Sequence, residues 1–470
     1  MPRPIASCAL ALAGLVVGLT ACADSSNSST GLYEDQTAYS GQDQVSDGTS
    51  EMFEDGADSK IEGIQEGLSG ESLASDQYAG SSYAPLPIAQ ISIEMDDGVN
   101  PDEFPYEREW MSASMEVFLS GELVHEGRAG IHVRGNSSRD FDKKSFALET
   151  WNANDEDLDV PLLGLPAEED WILQGPFSDK TLIRNHLIYT LSNGIGRYAA
   201  RTRFVELEIN GDYRGVYVLM EKIKRDDNRV ALAEGAALLK RDWVEGGENF
   251  VQTTLCRDDL KVEWSDDISG VVDRLNSIEA EILDGDFSSI DLESFIDHML
   301  LVELSRNVDG YVLSTWITLS ENDVLGMGPI WDYNGALGNA SYFEAWRPEG
   351  WHYENPEFPG DNPRGFCWYE ALLESESFLE LRKERWQMHR AGPWSDGEIN
   401  ARIDEAVEAI APALERNFER WPLLGEVIWP NDLGAESRTT YVDEVAYLSC
   451  LLYTSPSPRD RTRSRMPSSA

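Results

Sequence analysis

Phe204-Val-Glu-Leu-Glu-Ile-Asn-Gly-Asp-Tyr-Arg-Gly-Val-Tyr-Val-Leu219 reads as two β-strands folded back on each other. Polar and apolar residues alternate along it, and Asn210-Gly211 supplies the left-handed pair that a two-residue hairpin turn requires. Toward the N-terminus, Ile91, Ile93 and Met95, then Met115-Glu-Val-Phe118, Gly130-Ile-His-Val-Arg134 and Phe146-Ala-Leu148 continue the strand pattern. A helix is predicted between these strands, from about Lys180 to Ser192. Ser178 or Asp179 is its candidate cap, and Gly194 follows its end. Beyond residue 265 the period turns helical. Ile268 to Leu283, Leu292 to Arg306, Trp368 to His389 and Glu398 to Arg420 are the candidates, with Pro412 placed to kink the last. A β-rich interval at 311–332 separates the two pairs, and a further helix starts near Tyr441. The fold class that follows is α+β, with a β-rich N-terminal half holding one helix and a mostly helical C-terminal half.

Composition narrows the function classes. The 470 residues carry 85 Asp and Glu against 38 Lys and Arg, a formal charge of -47. That balance excludes a general basic footprint for nucleic acid and leaves most acids as solvated surface. Fourteen Trp, seventeen Tyr and fifteen Phe suffice for a large core. The N-terminus is more specific. Arg3 precedes a short apolar run from Ala9 to Leu19, too short for an ordinary membrane span, and Leu19-Thr-Ala-Cys22 follows. This predicts a signal peptide over 1–21 with lipidation of Cys22. The protein would then be an exported envelope lipoprotein, at the outer membrane or cell surface, touching the membrane through that lipid only. Residues 22–85, rich in Ser, Gly and acid with the single Lys60, read as a disordered tether. Residues 86–449 form the folded domain. Residues 450–470 turn abruptly basic and resemble translated sequencing-adapter sequence, so a nucleic-acid-binding tail is not read from them. Cys256 and Cys367 would either pair in an oxidising envelope or remain two buried thiols, and no Cys/His cluster suggests zinc.

Phosphoryl transfer from ATP needs cations on the phosphates, carboxylates for a divalent metal, and a base near the acceptor hydroxyl. Arg134-Gly-Asn-Ser-Ser with Asp142-Lys-Lys-Ser concentrates cations and a Gly/Ser loop in a chain with few basic residues. Lys144 shares strand parity with Phe146 and Leu148, so one of the paired lysines is expected inward; a wet edge strand is the alternative. Asp309 follows an apolar helix, and Asp332 lies in an aromatic stretch some twenty residues on. Those positions suit a base and a metal ligand, although Asp is also common in turns. Trp346 and Trp351 are read as core or lid ahead of carbohydrate binding. Asp155-Glu-Asp-Leu-Asp159 lacks the spacing of a calcium loop and is read as solvated.

Five segments together resemble the CotH (spore-coat protein H) family of atypical kinases, in family order. They are Arg134-Gly-Asn-Ser-Ser with Lys143-Lys144, the stretch Trp171 to Asn185, the hairpin 204–221, Asn307-Val-Asp-Gly-Tyr311, and Pro329-Ile-Trp-Asp-Tyr-Asn334. The resemblance covers roughly residues 86–449. It implies an atypical protein-kinase-like fold and an enzyme that transfers the ATP γ-phosphate, with Mg²⁺ or Mn²⁺, to Ser or Thr of an exported or surface protein, or of itself. It also implies Asp309 as the catalytic acid-base residue and Asp332 as a metal ligand. Lys143 or Lys144 would meet the phosphates, with Arg134 nearby; Glu221 would lie near the nucleotide, and Arg184 would be an ion-pair partner or a phosphate contact. One departure stands out: kinase catalytic loops place an Asn five residues after the catalytic Asp, and here that position is Ser314. Asn334 is the candidate to compensate for it as a metal ligand. A fold-retaining binding or assembly module without turnover is the alternative reading.

Overall fold

The computed structural model describes residues 86–244, 249–355, 358, 363–432 and 434–454. The expectations for the signal peptide, Cys22, the tether and most of the basic tail lie outside those residues. Seven strands close into a barrel: β1 (Ala89–Met95), β2 (Met111–Leu119), β3 (Glu122–Arg134), β4 (Ser145–Trp151), β5 (Asp170–Gln174), β6 (Thr202–Ile209) and β7 (Asp212–Glu221). Their order is β1-β2-β3-β4-β5-β7-β6. All neighbours are antiparallel except β1 and β6, whose parallel pairing, Ile91 opposite Leu207, closes the ring. The hairpin turn forms at Asn210-Gly211, with φ of 51° and 74°.

β7 shows why the barrel is not a free-standing unit. Tyr217 and Leu219 point into the barrel core with Ile93, Ile131, Phe146 and Leu173, while Val216, Val218 and Met220 join the main core outside it. With both faces covered, the strand reads as a continuous apolar run. At the β6–β7 register shift, Gly215 has φ 92°, and a Cβ there would stand 2.6 Å from Asn417 Oδ1. Glycine is what lets the C-terminal half approach so closely.

Helix α1 (Arg184–Gly194) packs between β5 and β6 in the chain. It starts four residues later than predicted, because the Asp179 carboxylate accepts the N–H groups of both Thr181 and Arg184 and holds 179–183 as a turn. A second, five-stranded sheet takes the order β12-β11-β8-β10-β9. Its strands are β8 (Ala237–Arg241), β9 (Phe250–Gln252), β10 (Asp259–Ser265), β11 (Thr315–Leu319) and β12 (Leu325–Met327). Between β10 and β11 come α2 (Ile268–Leu283), capped by Asp267, and α3 (Leu292–Ser305), capped by Asp291. Buried on every side, α3 is the axis of the main core. It ends where Arg306 turns left-handed at φ 51°.

The long helix expected from Trp368 to His389 is two helices, α4 (Cys367–Glu374) and α5 (Glu376–Ala391). Ser375 separates them because its hydroxyl caps the second at the Phe378 N–H. Pro412 sits in a 3-10 turn that divides α6 (Asp396–Ile410) from α7 (Leu414–Arg420), as its missing N–H requires. The last element is α8 (Tyr441–Thr454). Cys256 and Cys367 are joined in a disulfide that ties the β9–β10 connection to the start of α4. Among the described residues no helix is long and apolar enough to cross a membrane.

Candidate active site

Helix α1 builds one wall of the site. The Tyr189 hydroxyl accepts the Asp332 N–H at 3.0 Å, and Asn185 Oδ1 accepts the Tyr333 N–H at 2.7 Å. Arg184, fully buried against Asp179, donates to the carbonyls of Ala336 at 3.0 Å and Leu337 at 3.2 Å. One helix face therefore pins 332–337, and Asp332 is held there at φ 60°, a backbone setting that a non-glycine residue keeps only when its surroundings impose it. Tyr189 also stacks on Trp331, their ring centres 6.0 Å apart.

The loop that follows α3 brings in the second acid. Asn307 Oδ1 accepts the Asp309 N–H at 3.2 Å, while its amide reaches the Asp332 carbonyl at 3.5 Å, so the two acidic segments are stitched together. Burial, reinforced by the charges of Asp332 and Asp242, pushes the Asp309 carboxyl up to about 7; a hydrogen bond from Tyr342 opposes the rise. Burial also raises Asp332, against the cations Lys240 and Arg134. Its carboxylate accepts the Asn334 amide at 2.8 Å, and Asn334 in turn accepts from Gln174 at 2.9 Å. Ser314 stands at φ 50° just ahead of β11.

Cations complete the site from both sheets. Arg134, the last residue of β3, lies 5.7 Å above the Trp331 ring. Lys240, on β8, is ion-paired with Asp242 and sits 5.4 Å over Trp316. Neither Lys240 nor Asp242 was singled out in the sequence. They lie in Ala237-Leu-Leu-Lys-Arg-Asp242, where nothing local distinguishes them from an ordinary strand end.

The other sequence candidates sit elsewhere. Lys143 is buried, donating to the Val216 carbonyl at 2.6 Å and to Asn417 Oδ1 at 3.1 Å. The lysine pair thus has one inward member, and it is Lys143. Lys144 donates to the Arg139 carbonyl at 2.8 Å. Glu221 is wholly buried at the end of β7, where it accepts Arg201 Nε at 2.9 Å and the Tyr198 hydroxyl at 3.1 Å. Trp351 is buried; Trp346 is largely exposed. Asp155 pairs with Arg128 at 2.9 Å in its exposed loop.

Two further features bear on the chemistry. A cavity of about 180 Å³ is lined by Tyr198, Leu301, Met327, Ile330, Ser294 and Thr318, and by none of Asp309, Asp332, Asp242, Arg134 and Lys240. Among the described residues, only Glu168, Glu169 and Asp170 bring three ligand-type carboxylates within 4.8 Å of one another. Lys224 pairs with all three and Arg229 adds a contact to Glu168 at 2.9 Å, so that cluster is neutralised from within. Asp309, Asp332 and Asp242 are more widely spread, and the hard oxygen donors of Asp332, Asn334 and Asp242 suit a divalent cation such as Mg²⁺ or Mn²⁺.

A family model described as CotH kinase protein matches residues 131–450, a stretch that contains Arg134, Lys240, Asp242, Asp309 and Asp332. No curated protein matches the chain.

Proposed function

The chain belongs to the CotH kinase family, and from that premise we propose that it is an envelope-anchored atypical kinase that moves the ATP γ-phosphate to Ser or Thr of an exported or surface protein, or of itself. The observation that carries this is Asp309, a carboxylate whose proton affinity is raised to about 7 beside Asp332. A general base is most effective when its pKa lies near the working pH. Asp309 takes the proton of the acceptor hydroxyl as that oxygen bonds the γ-phosphorus and the β,γ-bridging oxygen departs with ADP. Asp332, Asn334 and Asp242 would hold the divalent cation, which supplies charge neutralisation on the phosphates. Arg134 and Lys240 would orient the phosphate oxygens. In this reading Arg184 positions 332–337 and Lys143 braces β7. The kinase-like fold is part of the proposal: the seven-stranded barrel is the β-rich lobe and the helical half is its partner.

The test is transfer from γ-labelled ATP with Mg²⁺ or Mn²⁺ by the wild type, Asp309→Asn and Asp332→Asn. Label is expected on the protein or an added substrate for the wild type. It should drop by about 10²–10⁴-fold for Asp309→Asn. Since Asp309 acts deprotonated, wild-type turnover is expected to be lost as pH falls through about 7. Folded wild-type protein that neither binds nucleotide nor transfers label refutes the kinase reading. A binding module would then take its place, as Ser314 at the position of the second metal-holding Asn already favours.

A further inference from the structure

Tyr311, two residues after Asp309, is held at both ends. Its hydroxyl donates to Glu303 Oε1 at 2.8 Å, and its carbonyl accepts Arg241 Nη1 at 2.9 Å. Arg241 is itself fixed by Asp258, Nε to Oδ2 at 2.9 Å, and lies 5.3 Å from the centre of the Trp368 ring. Glu303 reaches a second segment as well. Its Oε2 accepts the His352 N–H at 2.5 Å and its Oε1 the Tyr353 N–H at 3.3 Å. Arg306, one turn on, donates to the Gly350 carbonyl at 2.8 Å, and Asn355 ties back to the Phe343 carbonyl at 2.7 Å. The end of α3 thus fastens residues 342–355 to the loop that carries Asp309. Tyr342, in that fastened segment, is the residue whose hydroxyl bonds Asp309.

A carboxylate in this setting is costly. Glu303 is 1% exposed, and the side chains around Tyr311 are the aromatics His352, Phe358, Phe366 and Tyr369. An apolar residue of similar volume would fill the space without the desolvation cost, which is several kcal/mol for an ionised group. What it could not do is accept the Tyr311 hydroxyl and the two backbone N–H groups together. Burial pushes the Glu303 carboxyl up to about 7.

We propose that Glu303 is a positioning residue, which sets the Asp309 loop in register with the 342–355 segment so that Tyr342 stays on the Asp309 carboxylate. The inference rests on the reading of Asp309 as the proton acceptor. It is tested with the full chain as Glu303→Leu, Glu303→Gln and Tyr311→Phe, measuring kcat, KM for ATP, and the titration of Asp309 by carboxyl-carbon NMR. With the register lost, Glu303→Leu should cut kcat about tenfold or more and leave KM for ATP within about twofold. In the same variant Asp309 loses the Tyr342 hydrogen bond that opposes its rise, so its titration should move further up from about 7. Gln keeps one carbonyl acceptor, but its amide nitrogen cannot accept the backbone N–H that faces it, so Glu303→Gln should recover only part of the kcat lost in Glu303→Leu. Should Glu303→Leu fail to fold, Tyr311→Phe decides, because it packs like the native residue and loses only the hydroxyl bond; it is expected to show the same shifts at smaller size. Wild-type kcat together with an unmoved Asp309 titration in Tyr311→Phe and in folded Glu303→Leu overturns the proposal. A wild type without transfer activity refutes the kinase reading alone, since the NMR titration still decides what Glu303 does.

Discussion

Lys143→Met is the substitution whose outcome the structure fixes most closely. Lys143 is 1% exposed, and its ammonium touches the Val216 carbonyl, Asn417 Oδ1 and, at 5.1 Å, the face of Tyr217. Burial lowers its pKa from 10.5 to about 7. Between those two values the unfolded chain holds a proton here that the folded protein has released. The contribution of Lys143 to stability is therefore most favourable above pH 10.5, is lost as pH falls from there toward 7, and levels off below. The slope is about 1.4 kcal/mol per pH unit, so about 2.5 kcal/mol separates pH 9.5 from pH 7.5. Methionine fills much of the same volume and cannot titrate. It also strands the Val216 carbonyl, while Asn417 Oδ1 keeps the Val216 N–H at 3.0 Å. An unmet buried acceptor costs about 1–3 kcal/mol. Urea unfolding followed by tryptophan fluorescence at pH 7.5, 8.5 and 9.5 should show the wild type ahead at pH 9.5, with the gap closing or reversing at pH 7.5. Nucleotide affinity should not change. Parallel stability curves for the two proteins would refute the reasoning, as would a folded variant that has lost ATP binding.

Two more perturbations follow from the packing. Replacing both Cys256 and Cys367 by Ala removes a cross-link spanning 111 residues, which on the chain-entropy account lowers stability by about 4–5 kcal/mol; urea unfolding midpoints of the two proteins measure it, and equal midpoints contradict it. Gly130→Ala puts a Cβ 2.1 Å from Trp151 Cζ2 in the barrel wall, so the indole must move, at about 1–3 kcal/mol. Gly397→Ala, with nothing within 4 Å of the new Cβ in α6, is the control and should be neutral or stabilising by under about 1 kcal/mol in the same assay.

Local patterns were legible in the sequence, and long-range pairings were not. The turn at Asn210-Gly211, α2 over Ile268–Leu283 and the break at Pro412 each depend on a few neighbouring residues. The barrel depends on β1 meeting β6 and on β5 entering between β4 and β7, partners that no period announces. β5 and β8 carried the weakest signal because they are covered on both faces, so nothing alternates along Asp170–Gln174. Asp179 misled, and the helix break at Ser375 was missed, for a related reason. Each can cap a helix or make a turn, and the choice is settled by contacts elsewhere in the fold.

The same limit governs the lysine pair. Side-chain parity predicts direction only inside a ladder, and here the ladder begins at Ser145: Phe146 and Leu148 do face the barrel core, but Lys143 and Lys144 precede the strand. Lys143 turns toward α7 and Asn417, a direction set by tertiary contact rather than by the alternation behind it. Meanwhile the cations whose charges act on Asp332 arrive from two sheets, Arg134 from the end of β3 and Lys240 from β8, roughly a hundred residues apart in the chain. A chain this acidic keeps such cations in place by pairing or stacking them, Lys240 with Asp242 and Arg134 over Trp331. Local concentration of basic residues points to Arg134 but carries no signal for Lys240, which stands on another sheet. What marks the site is the mutual approach of acids distant in the chain, and that exists only once the fold has brought Asp242, Asp309 and Asp332 together.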